Sequence, residues 1–315
     1  MAAEAGFDEV KRGQVELIVT ELARNIVNHG KGGHLLLAGW QNRDSNWIDI
    51  IAVDKGSGIP NLSAALEDGF SSSGTPGTGM GAVSRTANVF EVFTHSKHGT
   101  GVLARVSQQE RARPTLHTGA VSIPITGERV CGDAFASNAS PGRSIFMVVD
   151  GLGHGPIAAE AATGALEAFE KYCSDPPAEI IERIHGAIKS SRGAAVAVAE
   201  VQHDRGVVVY CGVGNIAGVI FMPTQNVTRS MVSHNGIVGH QMPRVAEFQY
   251  PWSPEATLIM HSDGVSGRWD LTSYPGLVNK DPALVAGVIY RDYNRTRDDA
   301  TVLVARQLEQ RTNAS

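Results

Sequence analysis

The chain has 315 residues, 42% of them hydrophobic and 19% charged, with a formal net charge of -5. That length holds two domains, and that composition excludes a disordered or tail-like chain. The negative balance, with Lys and Arg scattered rather than run together, argues against a nucleic-acid binder that works by neutralising phosphates.

Three cysteines, Cys131, Cys173 and Cys211, stand far apart without CxxC spacing. They fit a reducing compartment and give no zinc signature. The N-terminal MAAEAGFDEVKRGQ lacks the apolar core of a signal peptide, and no apolar stretch is long enough to span a membrane. A cytoplasmic protein is expected. Glycine is in excess and clusters in GSG, GTPGTGMG, HGTG, DGLGHG and CGVGN, where the backbone must turn sharply or approach a ligand.

In chain order, residues 7–29 carry Val15, Ile18, Leu22 and Ile26 at helical spacing. Strand-like runs follow at 34–39 and 47–53, then a Gly- and Ser-rich stretch over 56–81 and a short helix over 82–88. Further runs at 89–95 and 101–106, joined by SKHGTG, complete an α/β unit spanning 1–107. The polar, proline-containing stretch over 108–118 reads as a linker. Beyond it, short β-branched runs at 120–125, 145–149, 194–201, 207–213, 217–222, 257–261 and 301–306 are interrupted by helices over 157–172 and 178–190. Many strands around two consecutive helices predict an α+β sheet sandwich over 119–308, with a tail over 309–315.

In the N-terminal half, Glu21 and Asn25 share one helix face. An acid and an amide so placed could position a nucleophile and ligate Mg²⁺; two solvated polar residues read as well. Asp54 ends a strand and opens DKGSGIP, where a carboxylate can accept a hydrogen bond from adenine while Gly56 and Gly58 let the backbone pass close. Gly77, Gly79 and Gly81 of GTPGTGMG run into a helix and offer backbone N–H groups to phosphates.

ELARNIVNHG, DKGSGIP and GTPGTGMG resemble the N, G1 and G2 boxes of the GHKL ATPases, in the anti-sigma-factor kinase branch of the RsbT type. The resemblance implies an α/β Bergerat sandwich that binds ATP with Mg²⁺. Glu21 is then the catalytic base, Asn25 the Mg²⁺ ligand and Asp54 the adenine contact. The five glycines line the nucleotide, and Thr100 touches the adenine-side water network. Little precedes the segment matching residues 6–11, so a shortened N-terminus is expected. About twenty residues ahead of the N box cannot hold a histidine kinase's helical hairpin.

Four acidic motifs mark the C-terminal half: Asp133 in VCGDAF, Asp150 in MVVDGLGHG, Asp263 in IMHSDGVSG and Asp298/Asp299 in RDDATVLVAR. Carboxylates at strand ends can converge, and oxygen-rich sites suit Mg²⁺ or Mn²⁺. DG and GD are also ordinary turn dipeptides, but that reading must cover all four motifs at once. His154 could act as a general acid or cap the helix after Gly155. His261 reads as a strand residue. Arg129, Arg143 and Arg192 are the candidate phosphate contacts, none with a motif behind it.

The set resembles the PPM (type 2C) phosphatases, in the SpoIIE/RsbU/RsbX branch: DGLGHG, YCGVGN, SDG and DDATV match its motifs. The resemblance implies an αββα sandwich holding two Mn²⁺ or Mg²⁺ ions. Asp150 bridges both, the Gly151 carbonyl binds the second, Asp263 and Asp298 bind the first, and Asp133 sits behind them or reaches a metal through water. Asp299 is the less favoured of its pair.

The expected protein is a metal-dependent serine/threonine phosphatase fused to a switch-kinase-like ATP-binding domain. Its expected partner is a phosphorylated STAS-domain protein, of the anti-anti-sigma or stressosome type, in a partner-switching pathway. The alternative is a phosphatase regulated by a non-catalytic, nucleotide-sensing N-terminal domain.

Overall fold

The computed structural model describes residue 2 and residues 6–41, 46–67, 79–108, 116–242 and 244–307. Its contacts divide the chain into two units: Met1–Pro114 with Ser273–Arg291, and Thr115–Thr272 with Asp292–Ser315.

The first unit opens with α1 (Glu9–His29), whose N-cap Asp8 accepts a hydrogen bond from the Lys11 amide at 2.8 Å. Val15, Ile18 and Leu22 are its buried stripe. Strands β1 (Gly33–Gln41) and β2 (Asn46–Asp54) follow, then α2 (Leu62–Leu66), α3 (Gly79–Thr86), β3 (Val89–His95) and β4 (Gly99–Ser107). The strands form an antiparallel sheet in the order β1-β2-β4-β3. Alternation along β2 sends Ile48, Ile50 and Ala52 into a core shared with α1, which turns Asp49, Ile51 and Val53 to the other face.

The second unit contains β5 (His117–Ile123), β6 (Asp133–Ser140), β7 (Arg143–Gly151), α4 (Gly155–Tyr172), α5 (Pro177–Ala187), β8 (Ala194–Gln202), β9 (Val207–Val213), β10 (Ala217–Met222), β11 (Val227–Met231), β12 (Phe248–Pro251) and β13 (Thr257–His261). After it comes α6 (Pro282–Tyr293), and β14 (Ala300–Arg306) returns to this unit. Two five-stranded sheets result, β11-β10-β13-β14-β5 and β12-β9-β8-β7-β6. Ala161, Ala162, Ala165, Ala168 and Phe169 of α4 and Ile180, Ile181 and Ile184 of α5 pack on the second sheet. The alanine stripe lets α4 lie close to the strands.

Residues Ser273–Arg291 fall within the span expected of the C-terminal domain, yet they cluster with the first unit. There they cover the face of the sheet turned away from α1. A Cβ at Gly287 would meet Ile51 at 2.7 Å, and one at Gly101 would meet Leu284 at 3.0 Å. Tyr290 sits edge-on to His34 at 5.4 Å. Arg105 of β4 donates to Asp49 at 2.5 and 3.1 Å and to Asp281 at 3.0 and 3.3 Å, all three residues being buried.

No helix is expected between residues 261 and 301, because ALVAGVIY reads as strand or helix alike. Every residue of Pro282–Arg291 is buried, so α6 has no polar face to betray a 3.6-residue period. Strands β6, β11 and β12 are likewise additions; FASNAS and VTRS carry too few apolar residues to read as strands. β5 starts inside the expected linker, of which residues 109–115 lie outside the described residues, as does the tail 309–315.

Candidate active site

The antiparallel register of β6 and β7 sets Asp133 directly opposite Asp150. Asp263 follows β13, and Asp298 and Asp299 lead into β14, its neighbour in the other sheet. The two turns are tied together: Ser262 N–H donates to the Thr301 carbonyl at 3.1 Å, and Thr301 N–H to Ser262 Oγ at 2.9 Å. A Cβ at Gly264 would overlap the Asp299 carbonyl, so only glycine admits this approach.

The paired acids have separate duties. Asp299 is 2% exposed and accepts from Ile125 N–H through Oδ1 and Gly132 N–H through Oδ2, both at 2.7 Å. It fastens the end of β5 to the turn before β6. Asp298 is half-buried and bonds through Oδ1 to the Asp299 amide at 2.9 Å.

The Asp299 bond to the Gly132 amide brings its turn beside Asp133 and Asp150. Burial first, then the negative charges of Asp133, Asp263, Asp298 and Asp299, push Asp150 up to about 9. Burial raises Asp133 to about 7, helped by Asp299 and Asp298 and opposed by the Ser262 and Thr301 hydroxyls. Asp298 is raised by burial, with Asp263 and Asp299 adding to it. Asp133 Oδ2 is buried without a hydrogen-bond partner, a costly state for an ionised oxygen. Hard divalent cations would relieve all of this, and an all-oxygen set suits Mg²⁺ or Mn²⁺. Among the described residues no three Asp, Glu, His or Cys side chains close into a ligand cage.

Two contacts here were not anticipated. Asn215, in the CGVGN turn between β9 and β10, donates Nδ2–H to Asp263 Oδ2 at 2.6 Å. His154 occupies the N-cap position of α4 but makes no side-chain cap bond; its Nδ1 lies 2.8 Å from Glu128 Oε1. The motif singled out CGVGN without a task for Asn215, and nothing in the local sequence points to Glu128. His261 ends β13, accepts from Trp269 Nε1–H at 3.2 Å and is held below the usual imidazole range by burial. Arg143 is engaged with Glu200 and the carbonyls of Cys173 and Asp175, which removes it as a phosphate contact. Arg192 is exposed, 3.3 Å from where a Cβ on Gly153 would stand.

In the first unit, Glu21 and Asn25 lie half-buried on α1, Glu21 paired with Arg24 at 3.0 Å. The end of α1 meets the Asp54 turn: a Cβ on Gly30 would touch Asp54 Cβ at 2.8 Å, and one on Gly56 would strike the His29 carbonyl at 2.5 Å. Asp54 Oδ1 accepts from Gly56 N–H at 2.7 Å and Thr100 N–H at 3.3 Å. At Gly58 φ is +74°, against the His95 backbone. Gly79 and Gly81 open α3, which packs on α1. Gly77 lies outside the described residues. Asp54, Gly56 and Thr100 thus meet at the end of α1, while Glu21 and Asn25 lie further back along that helix and Gly79 and Gly81 on α3.

Comparison with known proteins agrees with both halves. Residues 140–307 match the model for Stage II sporulation protein E (SpoIIE), and residues 1–106 that for the histidine kinase-like ATPase domain. The chain is 27% identical over 140 residues to the phosphoserine phosphatase RsbX of Bacillus subtilis (strain 168), covering 44% of this chain and 70% of the relative. It is 35% identical over 104 residues to the serine/threonine-protein kinase RsbT of the same organism, covering 33% and 78%. A crystal structure of RsbX in complex with magnesium superposes with a TM-score of 0.54 at 23% identity, covering 62% of this chain and 98% of that one. Converging carboxylates on a two-sheet scaffold, behind an RsbT-like domain, place the chain in the SpoIIE family, with a PPM-type serine/threonine phosphatase domain following a histidine kinase-like ATPase domain.

Proposed function

We propose that the chain is a metal-dependent phosphoserine/phosphothreonine phosphatase acting on STAS-domain proteins of a partner-switching pathway, with an N-terminal domain that binds ATP·Mg²⁺. The observation that carries this is geometric: Asp133 stands opposite Asp150 in the β6–β7 register, and the turns bearing Asp263 and Asp298/Asp299 are tied to each other and to Gly132 beside Asp133. Asp150, Asp263, Asp298 and the Gly151 carbonyl would hold two Mg²⁺ or Mn²⁺ ions, with Asp133 behind them. Bound ions of this kind lower the pKa of water and stabilise charge on phosphoryl oxygens. His154, hydrogen-bonded to Glu128 at 2.8 Å, would offer a proton to the departing serine oxygen. The RsbX relative is named a phosphoserine phosphatase, which supports the substrate class.

The test is hydrolysis of a phosphorylated STAS-domain protein in Mn²⁺ by the full chain and by Asp150→Asn. Loss of turnover with retained folding supports the reading; undiminished turnover by the variant sinks it.

In the N-terminal domain Glu21 would serve as base, Asn25 as Mg²⁺ ligand and Asp54 as adenine contact, with Gly56, Gly58, Gly77, Gly79, Gly81 and Thr100 lining the nucleotide. A second reading gives this domain a sensing role without phosphoryl transfer. Arg291, encoded between two phosphatase motifs, donates to the Asp54 carbonyl at 2.7 Å and favours it. Phosphoryl transfer to a STAS protein that Glu21→Ala abolishes, with ATP binding intact, would decide for the kinase.

A further inference from the structure

The helix α6 is tied to the first unit's sheet at Asp281 and at Arg291, and the chain then continues into the second unit. At its start, Asp281 receives two bonds from the buried Arg105 guanidinium and one from the Ala283 amide at 2.9 Å. Near its end, Arg291 is 5% exposed and donates through Nη1 to the carbonyls of Asp54 at 2.7 Å and Thr100 at 3.4 Å. Those two residues meet again through their other groups, since Asp54 Oδ1 accepts from the Thr100 amide. Arg291 therefore holds from behind the turn whose carboxylate faces the adenine in the reading above.

Arg291 is the last residue of the first unit and Asp292 begins the next segment of the second. Within the second unit, the stretch that follows is bonded to the turn carrying Asp263. Ser266 N–H donates to the Tyr293 carbonyl and Arg295 N–H to the Gly264 carbonyl, both at 2.8 Å, and Val265 bridges Asn294. Asp298 lies three residues beyond Arg295. Along the chain, Tyr293, the last residue of α6, is two residues beyond Arg291.

We propose that α6 is the coupling element through which adenine-nucleotide occupancy at Asp54 sets the activity of the phosphatase, with Arg291 as the positioning residue that reads the nucleotide site. This rests on the reading of the N-terminal site as a nucleotide site and of the carboxylate cluster as the phosphatase centre. Because coupling between sites is reciprocal, occupancy of the carboxylate cluster by Mn²⁺ alters nucleotide affinity by the same factor.

The experiment uses the full chain, wild type and Arg291→Met, which keeps the aliphatic stem. The probe is a non-hydrolysable ATP analogue with Mg²⁺ held constant. Three quantities are read: analogue affinity, the rate on a generic aryl phosphate at fixed free Mn²⁺, and amide hydrogen exchange over residues 262–266 and 292–299 with no Mn²⁺ present. In the wild type the analogue changes the rate by about fivefold or more and alters exchange in both stretches. With analogue raised to saturate whatever affinity is measured for it, Arg291→Met hydrolyses at the same rate with and without analogue, and the exchange response disappears. A wild type that binds and hydrolyses while rate and exchange ignore the analogue would overturn the proposal, as would an Arg291→Met variant that keeps the full response. The wild-type exchange arm stands even if the variant does not fold. A wild type that binds no analogue, or does not hydrolyse, overturns the site reading itself, and the coupling with it.

Discussion

Asn215 Nδ2 lies 2.6 Å from Asp263 Oδ2. An amide donor on one carboxylate oxygen fixes the rotamer and leaves the other oxygen to face the site, as outer-shell partners do around metal ligands. Asn215→Ala is expected to weaken Mn²⁺ binding about 10- to 100-fold, read by titration calorimetry, while Asn215→Gln recovers part of it. Equal affinity in wild type and Asn215→Ala would remove the assigned role.

Protons and metal compete at Asp150 and Asp133, which burial and neighbouring charge raise to about 9 and about 7. Ion binding must expel those protons, so Mn²⁺ affinity is expected to rise from pH 6 to pH 9 with proton release, visible by calorimetry in buffers of different ionisation enthalpy. In metal-free protein both carboxyls hold protons in the folded state that the unfolded chain loses near pH 4. Stability therefore falls as pH climbs from about 4 through the two folded-state values, and levels off above them. Chemical denaturation in chelator across that range checks the sign.

Asp298 and Asp299 are neighbours with opposite expected phenotypes. Asp299→Ala strands the Ile125 and Gly132 amides, each bonded at 2.7 Å to a buried carboxylate. The expected cost is about 1.5–3 kcal/mol per bond, read as a lowered denaturation midpoint. Asp298→Asn keeps its place in the turn and is expected to leave the midpoint close to wild type while hydrolysis collapses.

Arg105 is hydrogen-bonded to both Asp49 and Asp281 inside the first unit. Arg105→Met leaves two buried carboxylates unpaired and is expected to destabilise by about 3–5 kcal/mol. The triple variant Arg105→Met, Asp49→Leu, Asp281→Asn should recover much of that loss, since apolar or neutral replacements of buried ion pairs are often tolerated. A single variant as stable as wild type would show that the charges are solvated.

Most of both domains was legible because the relevant signals are local. Strands 89–95, 207–213, 217–222 and 257–261 are announced by β-branched runs ending in Gly or polar turns, and their observed limits coincide with the reading. The acidic residues were legible as candidates because DG and DD at strand ends are few. Asp299's structural duty was not, since it depends on amides 167 and 174 residues away. The roles of Asn215 and Glu128 escaped for the same reason.

The sequence by itself determined the order of the elements and motifs and which acidic residues stand at strand ends, because periodicity, turn chemistry and residue type are properties of neighbours along the chain. The two domain types followed from the resemblance of those motifs to known families. Only the tertiary structure decided that Asp281 and Arg291 serve the N-terminal sheet, reaching Arg105 and Asp54 across 176 and 237 residues. Burial on every side erases the amphipathic signal of α6, and an ion pair between distant residues leaves no mark on local composition. The partition of the chain between two cores is therefore written in contacts alone.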